Sequence, residues 1–285
     1  MARELRIEYP GALYHVISRG NEGRAIYRSE EDREIFFRIL RRTVIRYEFI
    51  IYAYCLMANH YHLLIETPKA NLSRGMQYLN GVYAASFNVK NEHIGHLFQG
   101  RYKAILADKG EYLLELARYI VLNPVKAGIA ENPSSYKWSS YLETLGGRAA
   151  PEFFDVNSLL SLFSENLIEA REAYKEFVEY GLHREPSFEI KAGIILGDDI
   201  FLSKIKNHAQ HMKESKDIPK KQRFLSCPSL GELFDDIENV NIRNKQVFKA
   251  VTEFGYLQKE VADYLGLAYS TISVIMKNAE EESLS

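Results

Sequence analysis

This 285-residue sequence has few cysteines and no long apolar run. It contains two cysteines, Cys55 and Cys227, which are far apart and belong to no CxxC pair. A disulfide framework and a cysteine-ligated zinc site are therefore excluded, and we expect a reducing, cytoplasmic location. No run approaches the roughly 18 apolar residues of a membrane helix, and the first residues lack the apolar core of a signal peptide. The sequence predicts no membrane partner.

Charge is unevenly spread along a chain of ordinary globular composition. The 285 residues are enough for two domains with a sizeable core, and the 46% of hydrophobic residues is typical of globular proteins. Residues 1–150 hold 20 Lys and Arg against 15 Asp and Glu, whereas residues 151–239 hold 11 against 17. Residues 1–150 could therefore face a polyanion such as a nucleic acid. So could the tail from residue 240, if the acidic residues at its very end are left aside.

The hydrophobic pattern of the first half alternates between strand and helix periods. Helices are expected at 29–47, 72–88 and in the segment 110–124, where the helix should stop near Asn123 because proline follows. Strands are expected at 12–20, 49–57, 60–67 and 96–108. The order β-α-β-β-α-β-α predicts an α+β fold, namely a ferredoxin-like (RRM-like) antiparallel sheet with helices on one face and one extra helix.

Three segments are predicted along the chain. Residues 1–148 hold this sheet, residues 149–228 form a helical connection with a polar linker at 213–223, and residues 229–285 are helical again. In the tail, LQKEVADYLGLAYSTISVIMKN (257–278) is typical of a helix-turn-helix that binds duplex DNA in the major groove. Exposed side chains are expected on its second helix at Ser270, Thr271, Ser273 and Lys277. A small bundle used for packing or dimerisation is the alternative.

Two histidines stand one residue apart in CLMANHYHLLIET, residues 55–67. Side chains alternate faces along a strand, so His60 and His62 point the same way and Tyr61 points the other way. Two imidazoles roughly 7 Å apart on one face can ligate one metal ion. Two partly buried, hydrogen-bonded histidines are the alternative, and a third ligand is needed to decide.

A second pair of polar residues lies in LARYIVLNPVKAG, residues 116–128. Tyr119 and Asn123 are four residues apart, so they share one face of a helix. Asparagine offers an oxygen ligand suited to Mg²⁺ or Mn²⁺, and tyrosine can act as a nucleophile. With the two histidines they could hold a divalent ion on a scissile phosphate and form a covalent phosphotyrosine. Most of the 19 tyrosines must nevertheless be structural.

These stretches resemble the motifs of a known family. NHYHLLIE is similar to the HUH motif (His, bulky hydrophobic residue, His) of single-tyrosine HUH transposases. FQGRYKAIL and ARYIVLNPVKAG…YKWSSY are similar to the blocks that accompany this motif. The resemblance is to the REP-associated tyrosine transposases of the insertion-sequence-200-like superfamily and covers about residues 8–145. Tyr61 departs from the small aliphatic residue usual between the histidines, but we expect it to face the core.

The resemblance implies a role for each matching residue. His60, His62 and Asn123 would be ligands of Mg²⁺ or Mn²⁺, and Tyr119 would form a 5′-phosphotyrosine and leave a free 3′-OH. The implied substrate is single-stranded DNA, often a hairpin cut beside its stem, in a bacterial cell at the nucleoid. The tail resembles the helix-turn-helix of replication initiators. Monomer and homodimer stay open, and with them whether Tyr119 acts in its own active site or a partner's.

Basic and polar residues near the predicted site are candidates for contacts with DNA. Contacts with DNA are expected at Arg19, Arg24, Gln99, Arg101 and Lys103, although each could equally be a solvated surface residue. Gln99, Arg101 and Lys103 should share one face of their strand. A host-retained protein that binds hairpins or promoters without cutting has no need of the intact histidines, tyrosine and asparagine. An RRM-like RNA binder would want exposed aromatic residues where histidines are expected.

Overall fold

The computed structural model describes residues 5–184, 188–209, 222, 228–235, 237 and 239–283. By its contacts the chain divides into two compact units, Glu8–Phe201 and the combination of Met1–Ile7 with Leu202–Ser285. The three-segment division made from the sequence stays a prediction, and its linker at 213–223 lies outside the described residues apart from Gln222. None of the helices in the described ranges is long and apolar enough to cross a membrane.

A five-stranded sheet forms the centre of the larger unit. Its strands lie in the order β2-β3-β1-β4-β5. The first four strands in this order pair antiparallel with one another. The short β5 pairs parallel with β4, so the sheet is mixed. The expected combination of a sheet with several helices is confirmed, with a fifth strand that the sequence pattern did not indicate. The strands are β1 (Ala12–Arg19), β2 (Ile50–Leu56), β3 (His60–Thr67), β4 (Lys103–Ala107) and β5 (Ile195–Leu196).

Helices α1 (Glu30–Tyr47) and α2 (Leu72–Lys90) cover one face of the sheet. The side chains of β3 that face them include Tyr61, whose ring centroid lies 4.9 Å from that of Phe36 on α1. The Tyr61 hydroxyl donates to Asn80 Oδ1 on α2 at 2.5 Å. Tyr61 is fully buried, as expected, although it replaces a small aliphatic residue.

The third helix, α3 (Lys109–Lys126), covers the opposite face. Its apolar side chains form one core with the strand residues that point to this opposite face, among them Leu13, Cys55 and Leu64. The expectation that the helices lie on one face is therefore wrong for α3. Sequence period identifies which side of a helix is apolar, but not which face of a sheet it covers.

Two element boundaries also differ from the expectation. The strand expected at 96–108 starts only at Lys103, because Gly100 has a positive φ of 69° that breaks the extended chain before it. The helix expected to end at Asn123 continues through Pro124 to Lys126. Proline removes only one backbone donor, and the carbonyl that it leaves without a partner receives another hydrogen bond, described below.

Three further helices complete the core on the α3 side. They are α4 (Tyr141–Leu145), α5 (Val156–Leu160) and α6 (Leu167–Tyr180). Their buried residues join the same cluster as α3, including Leu159, Tyr174 and Val178. The chain up to residue 180 is thus part of the packing around the sheet.

The other unit is helical in its described part. After α7 (Asp199–Ala209), which begins in the larger unit, it contains α8 (Leu230–Phe234), α9 (Val240–Thr252), α10 (Gln258–Leu265) and α11 (Tyr269–Ser283). A separate small core joins these last helices, with Val247, Val261 and Ile272 fully buried. Gly266 ends α10 with φ of 64°, a left-handed conformation that glycine adopts without strain.

Candidate active site

Strand pairing gathers the histidines on the face of the sheet that α3 covers. In the β1–β3 register Ile17 lies opposite His62 and Arg19 lies opposite His60. Directly opposed residues share a face, and so do residues two apart on one strand. His15 therefore joins His60 and His62 there. The rings of His60 and His62 are 4.9 Å apart and nearly perpendicular, the first half-buried and the second 4% exposed.

His15 and His62 form a buried hydrogen bond. His15 Nε2 lies 2.8 Å from His62 Nδ1, and the two rings are stacked with centroids 5.1 Å apart. Burial lowers the pKa of His15 to about 3, and the positive charge of Lys103 adds to this effect. Burial also lowers the pKa of His62 well below its usual value, with contributions from His15 and His60. Both imidazoles are therefore neutral near pH 7, which is the form that binds a metal ion.

His60 is held from the turn that precedes β3. Its Nδ1 lies 2.7 Å from Asn59 Oδ1, while Asn59 Nδ2 donates to the backbone carbonyl of Gly23 at 3.1 Å. Burial lowers the pKa of His60, and the charge of Arg19 lowers it further. His60 also favours its neutral form.

Helix α3 brings Tyr119 over this face. The Tyr119 ring centroid lies 6.2 Å from that of His62 and 5.7 Å from that of His15, edge-on in both cases. The expected proximity of the tyrosine and the histidines is therefore present in the structure. Half-burial of Tyr119 leaves part of its side chain open to solvent.

Asn123 follows Tyr119 by one helical turn. Its Nδ2 donates to the backbone carbonyl of Tyr119 at 2.9 Å and, more weakly, to that of Ile120 at 3.4 Å. Ile120 is the residue whose carbonyl would accept from position 124 if that residue were not proline. The side-chain amide of Asn123 thus compensates for Pro124, and its two donors face the helix. Both of these hydrogen bonds use Nδ2, and neither uses Oδ1.

The donor set fits a small divalent cation. Buried His62 Nε2 has no hydrogen-bond partner among the described residues. An unpaired buried nitrogen is costly unless another group, such as a metal ion, engages it. No cluster of three or more His, Cys, Asp and Glu side chains suited to a metal occurs in the described part of the chain. A third protein ligand would therefore have to be of another type, such as the amide oxygen of Asn123 predicted from the sequence.

The structure adds residues near Tyr119 that the sequence analysis gave no role. The Phe188 ring lies 5.5 Å from the Tyr119 ring, edge to face. A small cavity beside Tyr119 is lined by the basic residues Arg118, Lys126 and Arg184 and by Glu115, which forms an ion pair with Arg118. Arg118 and Lys126 flank Tyr119 on α3 and were visible in LARYIVLNPVKAG. Arg184 and Phe188 come from beyond α6, and no pattern in the sequence links them to the site.

The predicted DNA contacts in the larger unit lie at the end of β1, at the start of β4 and in the segments next to them. Arg19 ends β1 and Lys103 begins β4; both are exposed, and both lower the pKa of a site histidine by their charge. Gln99 and Arg101 are exposed but precede β4, so the expected alternation with Lys103 along one strand is wrong. Arg24 is exposed and forms an ion pair with Glu22.

The predicted contacts of the tail lie on α11. Its buried positions are Ile272, Ile275 and Met276. The four predicted residues are all exposed, on the remainder of the helix surface: Ser270, Thr271, Ser273 and Lys277.

Comparison with known families identifies the region around this site. Residues 9–123 match the family model described as "Transposase IS200 like", which spans β1 to Asn123. This part of the chain is therefore similar to the IS200-like transposases. The IS200-like region thus includes all four predicted site residues, and the resemblance noted in the sequence is confirmed at the level of this family.

Two further comparisons accompany the family match. Among solved structures, a REP-associated tyrosine transposase bound to a REP hairpin is 16% identical to this chain with a TM-score of 0.45. The alignment covers 55% of this chain and 94% of that one. No curated protein matches the chain.

Proposed function

We propose that the chain is a metal-dependent endonuclease and strand transferase that cuts single-stranded DNA near hairpins. The observation that carries the proposal is the position of Tyr119, whose ring lies 6.2 Å from that of His62. Phosphodiester cleavage needs a nucleophile and ligands for a metal ion. The partly exposed site between α3 and the sheet offers a hydroxyl nucleophile, two neutral imidazoles and a carboxamide oxygen. The IS200-like family, whose members generally depend on a divalent metal, supports this class of reaction.

His60 Nε2, His62 Nε2 and Asn123 Oδ1 would hold Mg²⁺ or Mn²⁺. When bound, such an ion would polarise a nonbridging oxygen of the scissile phosphate and orient it. The sheet and α3 supply the rigidity, since both histidines lie on a strand with neighbours on either side. The burial that keeps the histidines neutral also keeps their nitrogens available as ligands.

Tyr119 Oη attacks the phosphorus, and the bond from phosphorus to the 3′-oxygen breaks. The products are a 5′-phosphotyrosine and a free 3′-OH, which takes up one proton as the tyrosine hydroxyl loses one. Attack of another 3′-OH on the phosphotyrosine reverses these steps and joins a new strand without an external energy source. Exposed Arg19 and Lys103 are placed to contact the phosphates of the strand that enters the site.

The sheet order supports the finer fold assignment that goes with this function. The antiparallel order β4-β1-β3-β2, with α1 between β1 and β2 and α2 between β3 and β4, is what a ferredoxin-like fold would have. In this reading β5 and α3 are additions, and α3 carries the nucleophile.

We also propose that α10 and α11 form a helix-turn-helix that binds duplex DNA. The two helices are joined by a short turn at Gly266 and share a buried core with α9. The polar side chains Ser270, Thr271, Ser273 and Lys277 occupy the exposed side of the second helix, as recognition residues do. In the full-length chain, Ser273→Glu should weaken duplex binding and leave hairpin cleavage intact. An unchanged duplex affinity would favour the packing role instead.

The experiment that tests the main proposal is an adduct assay. End-labelled hairpin DNA from the sequence flanking the gene is incubated with the full-length protein and Mg²⁺ or Mn²⁺, then analysed on a denaturing gel. We expect a covalent protein–DNA band that needs the metal and is absent in Tyr119→Phe. Tyr112→Phe, on the same helix, is the matched control and should form the band. Tight hairpin binding without any adduct would instead indicate the non-cleaving DNA-binding protein.

A further inference from the structure

Each of the two predicted metal-binding histidines makes a hydrogen bond through Nδ1. His60 Nδ1 lies 2.7 Å from Asn59 Oδ1, and His62 Nδ1 lies 2.8 Å from His15 Nε2. A neutral imidazole carries one proton, so one ring nitrogen donates and the other keeps a lone pair. The group beside Nδ1 therefore decides whether Nε2 can act as a metal ligand.

For His60 the neighbour leaves one arrangement. Asn59 Nδ2 donates to the carbonyl of Gly23, which turns Asn59 Oδ1 towards His60. The backbone of Asn59 is held as well, because its carbonyl accepts from Gly20 N at 2.8 Å. A carboxamide oxygen can only accept. His60 must therefore donate from Nδ1, and its Nε2 keeps the lone pair.

For His62 two arrangements are conceivable, and in both of them Nε2 is buried without a hydrogen-bond partner among the described residues. If His15 donated, the proton of His62 would sit on Nε2, where a cation could not engage the nitrogen. If His62 donates from Nδ1 to His15 Nε2, its own Nε2 keeps a lone pair, and a cation bound there compensates for the missing partner. His15 is 3% exposed and lies on β1 opposite Leu64, which fixes its backbone beside His62.

We infer that His15 and Asn59 are positioning residues that set the tautomers of His62 and His60, so that both present Nε2 to one divalent cation. Neither residue touches the ion in this account; each acts through a ligand. The inference rests on the proposed function for the identity of the ion, but the tautomers belong to the metal-free protein. Side chains in such supporting positions typically alter metal affinity 10–100-fold.

The tautomers are measured directly in the metal-free protein. The full-length chain is labelled with ¹⁵N-histidine, treated with EDTA and examined by long-range ¹H–¹⁵N NMR, with signals assigned from His60→Gln and His62→Gln. We expect both histidines to carry their proton on Nδ1. Protonation of His62 on Nε2 would overturn the role of His15, and the same finding for His60 would overturn the role of Asn59.

Variants then test the effect on Mn²⁺ binding, followed by EPR titration. His15→Phe removes the acceptor but keeps a flat ring, and should raise the Kd for Mn²⁺ about 10-fold or more. His15→Gln retains an acceptor oxygen and should restore much of the affinity. Asn59→Ala and Asn59→Asp form the corresponding pair for His60, and His96→Gln is a control for loss of an exposed histidine. Hairpin binding in EDTA should be unchanged in all of them.

The outcomes separate this inference from the proposed function. An unchanged Kd in both His15→Phe and Asn59→Ala would overturn the inference. If His15→Phe does not fold, the tautomers of the wild-type protein and the Kd values of the variants at half-exposed Asn59 still test the inference. Nδ1 tautomers in a protein that forms no adduct would refute the proposed function and leave the tautomer assignment standing. An adduct in a protein whose histidines are protonated on Nε2 would support the proposed function and refute the tautomer assignment.

Discussion

The side-chain amide of Asn123 lies 2.9 Å from the carbonyl oxygen of Tyr119, one turn earlier on α3. The same amide reaches the carbonyl of Ile120, which Pro124 leaves without its usual donor. Asn123 therefore supports the helix locally, and under the proposed function its amide oxygen would also bind the metal ion. The two roles make different predictions and can be separated.

Replacement of Asn123 by alanine should weaken both the helix and the metal site. We expect a loss of about 0.5–1.5 kcal/mol in the free energy of unfolding, the usual contribution of a hydrogen bond, and a raised Kd for Mn²⁺. In a Pro124→Ala background the backbone bond returns, so the stability loss should shrink while the loss of Mn²⁺ affinity stays. Urea unfolding and EPR titration of the four proteins measure the two effects. Equal affinities for Mn²⁺ with and without Asn123 would exclude it as a ligand.

The contact between Phe188 and Tyr119 should matter for the rate of cleavage. Aromatic pairs of this kind contribute about 0.5–1.5 kcal/mol beyond burial, and the edge contact restricts the Tyr119 ring. We expect Phe188→Ala to slow single-turnover adduct formation about 10-fold by loosening the nucleophile, with no change in Mn²⁺ affinity. Phe163→Leu, which alters another partly buried ring outside the site, is the control. Faster adduct formation in Phe188→Ala would mean that Phe188 obstructs the site.

Lys103 should act on DNA through its charge. It is exposed at the start of β4, and its charge contributes to the low pKa of His15. If it contacts one phosphate, Lys103→Gln should reduce the slope of log affinity against log salt by about 0.7 for single-stranded DNA. Lys175→Gln, on α6, should leave the slope unchanged. Fluorescence anisotropy across a salt series provides the measurement, and identical slopes for wild type and Lys103→Gln would remove Lys103 from the DNA path.

Asp32 should make stability depend on pH at the acid end. Burial alone would raise its pKa, but hydrogen bonds from the Lys90 ammonium, the backbone N–H of Arg28 and the Asn91 amide lower it below the usual value. The folded state then holds fewer protons than the unfolded state near the folded pKa. The stabilisation is therefore complete above the ordinary aspartate pKa of about 3.9 and is lost as pH falls below it.

Asp32→Asn removes the charge while keeping the shape of the side chain. We expect it to lower the free energy of unfolding at pH 7 by about 1–3 kcal/mol, since charged hydrogen-bond partners are lost. The difference from wild type should disappear as the pH falls below about 3.9. Urea unfolding from pH 7 to pH 3 checks this. A difference that persists undiminished at the acid end would show that the charge of Asp32 is not the cause.

Much of the site could be predicted from the sequence because its geometry is local. Strand alternation places His60 and His62 together, and helix period does the same for Tyr119 and Asn123. Contacts made across the sheet or from distant segments have no such signal. His15 meets His62 only through the β1–β3 register, and Phe188 reaches Tyr119 from 69 positions later in the chain.

The errors of prediction have the same origin. Pro124 predicts the end of a helix from local sterics, but a side chain one residue earlier restores the missing hydrogen bond. Gly100 shortens β4 through a positive φ that the pattern of FQGRYKAIL does not reveal. The face that α3 covers depends on the packing of the whole sheet.

Identification of the modified amino acid is the measurement that tests the account most directly. Trypsin cuts after Arg118 and Lys126, so it releases YIVLNPVK, residues 119–126, in which Tyr119 is the only tyrosine. After the adduct forms and nuclease trims the DNA, tandem mass spectrometry should find a nucleotide attached through phosphate to this peptide, on the tyrosine. A nucleotide on any other residue, or an adduct of equal yield in Tyr119→Phe, would contradict the assignment of Tyr119 as the nucleophile.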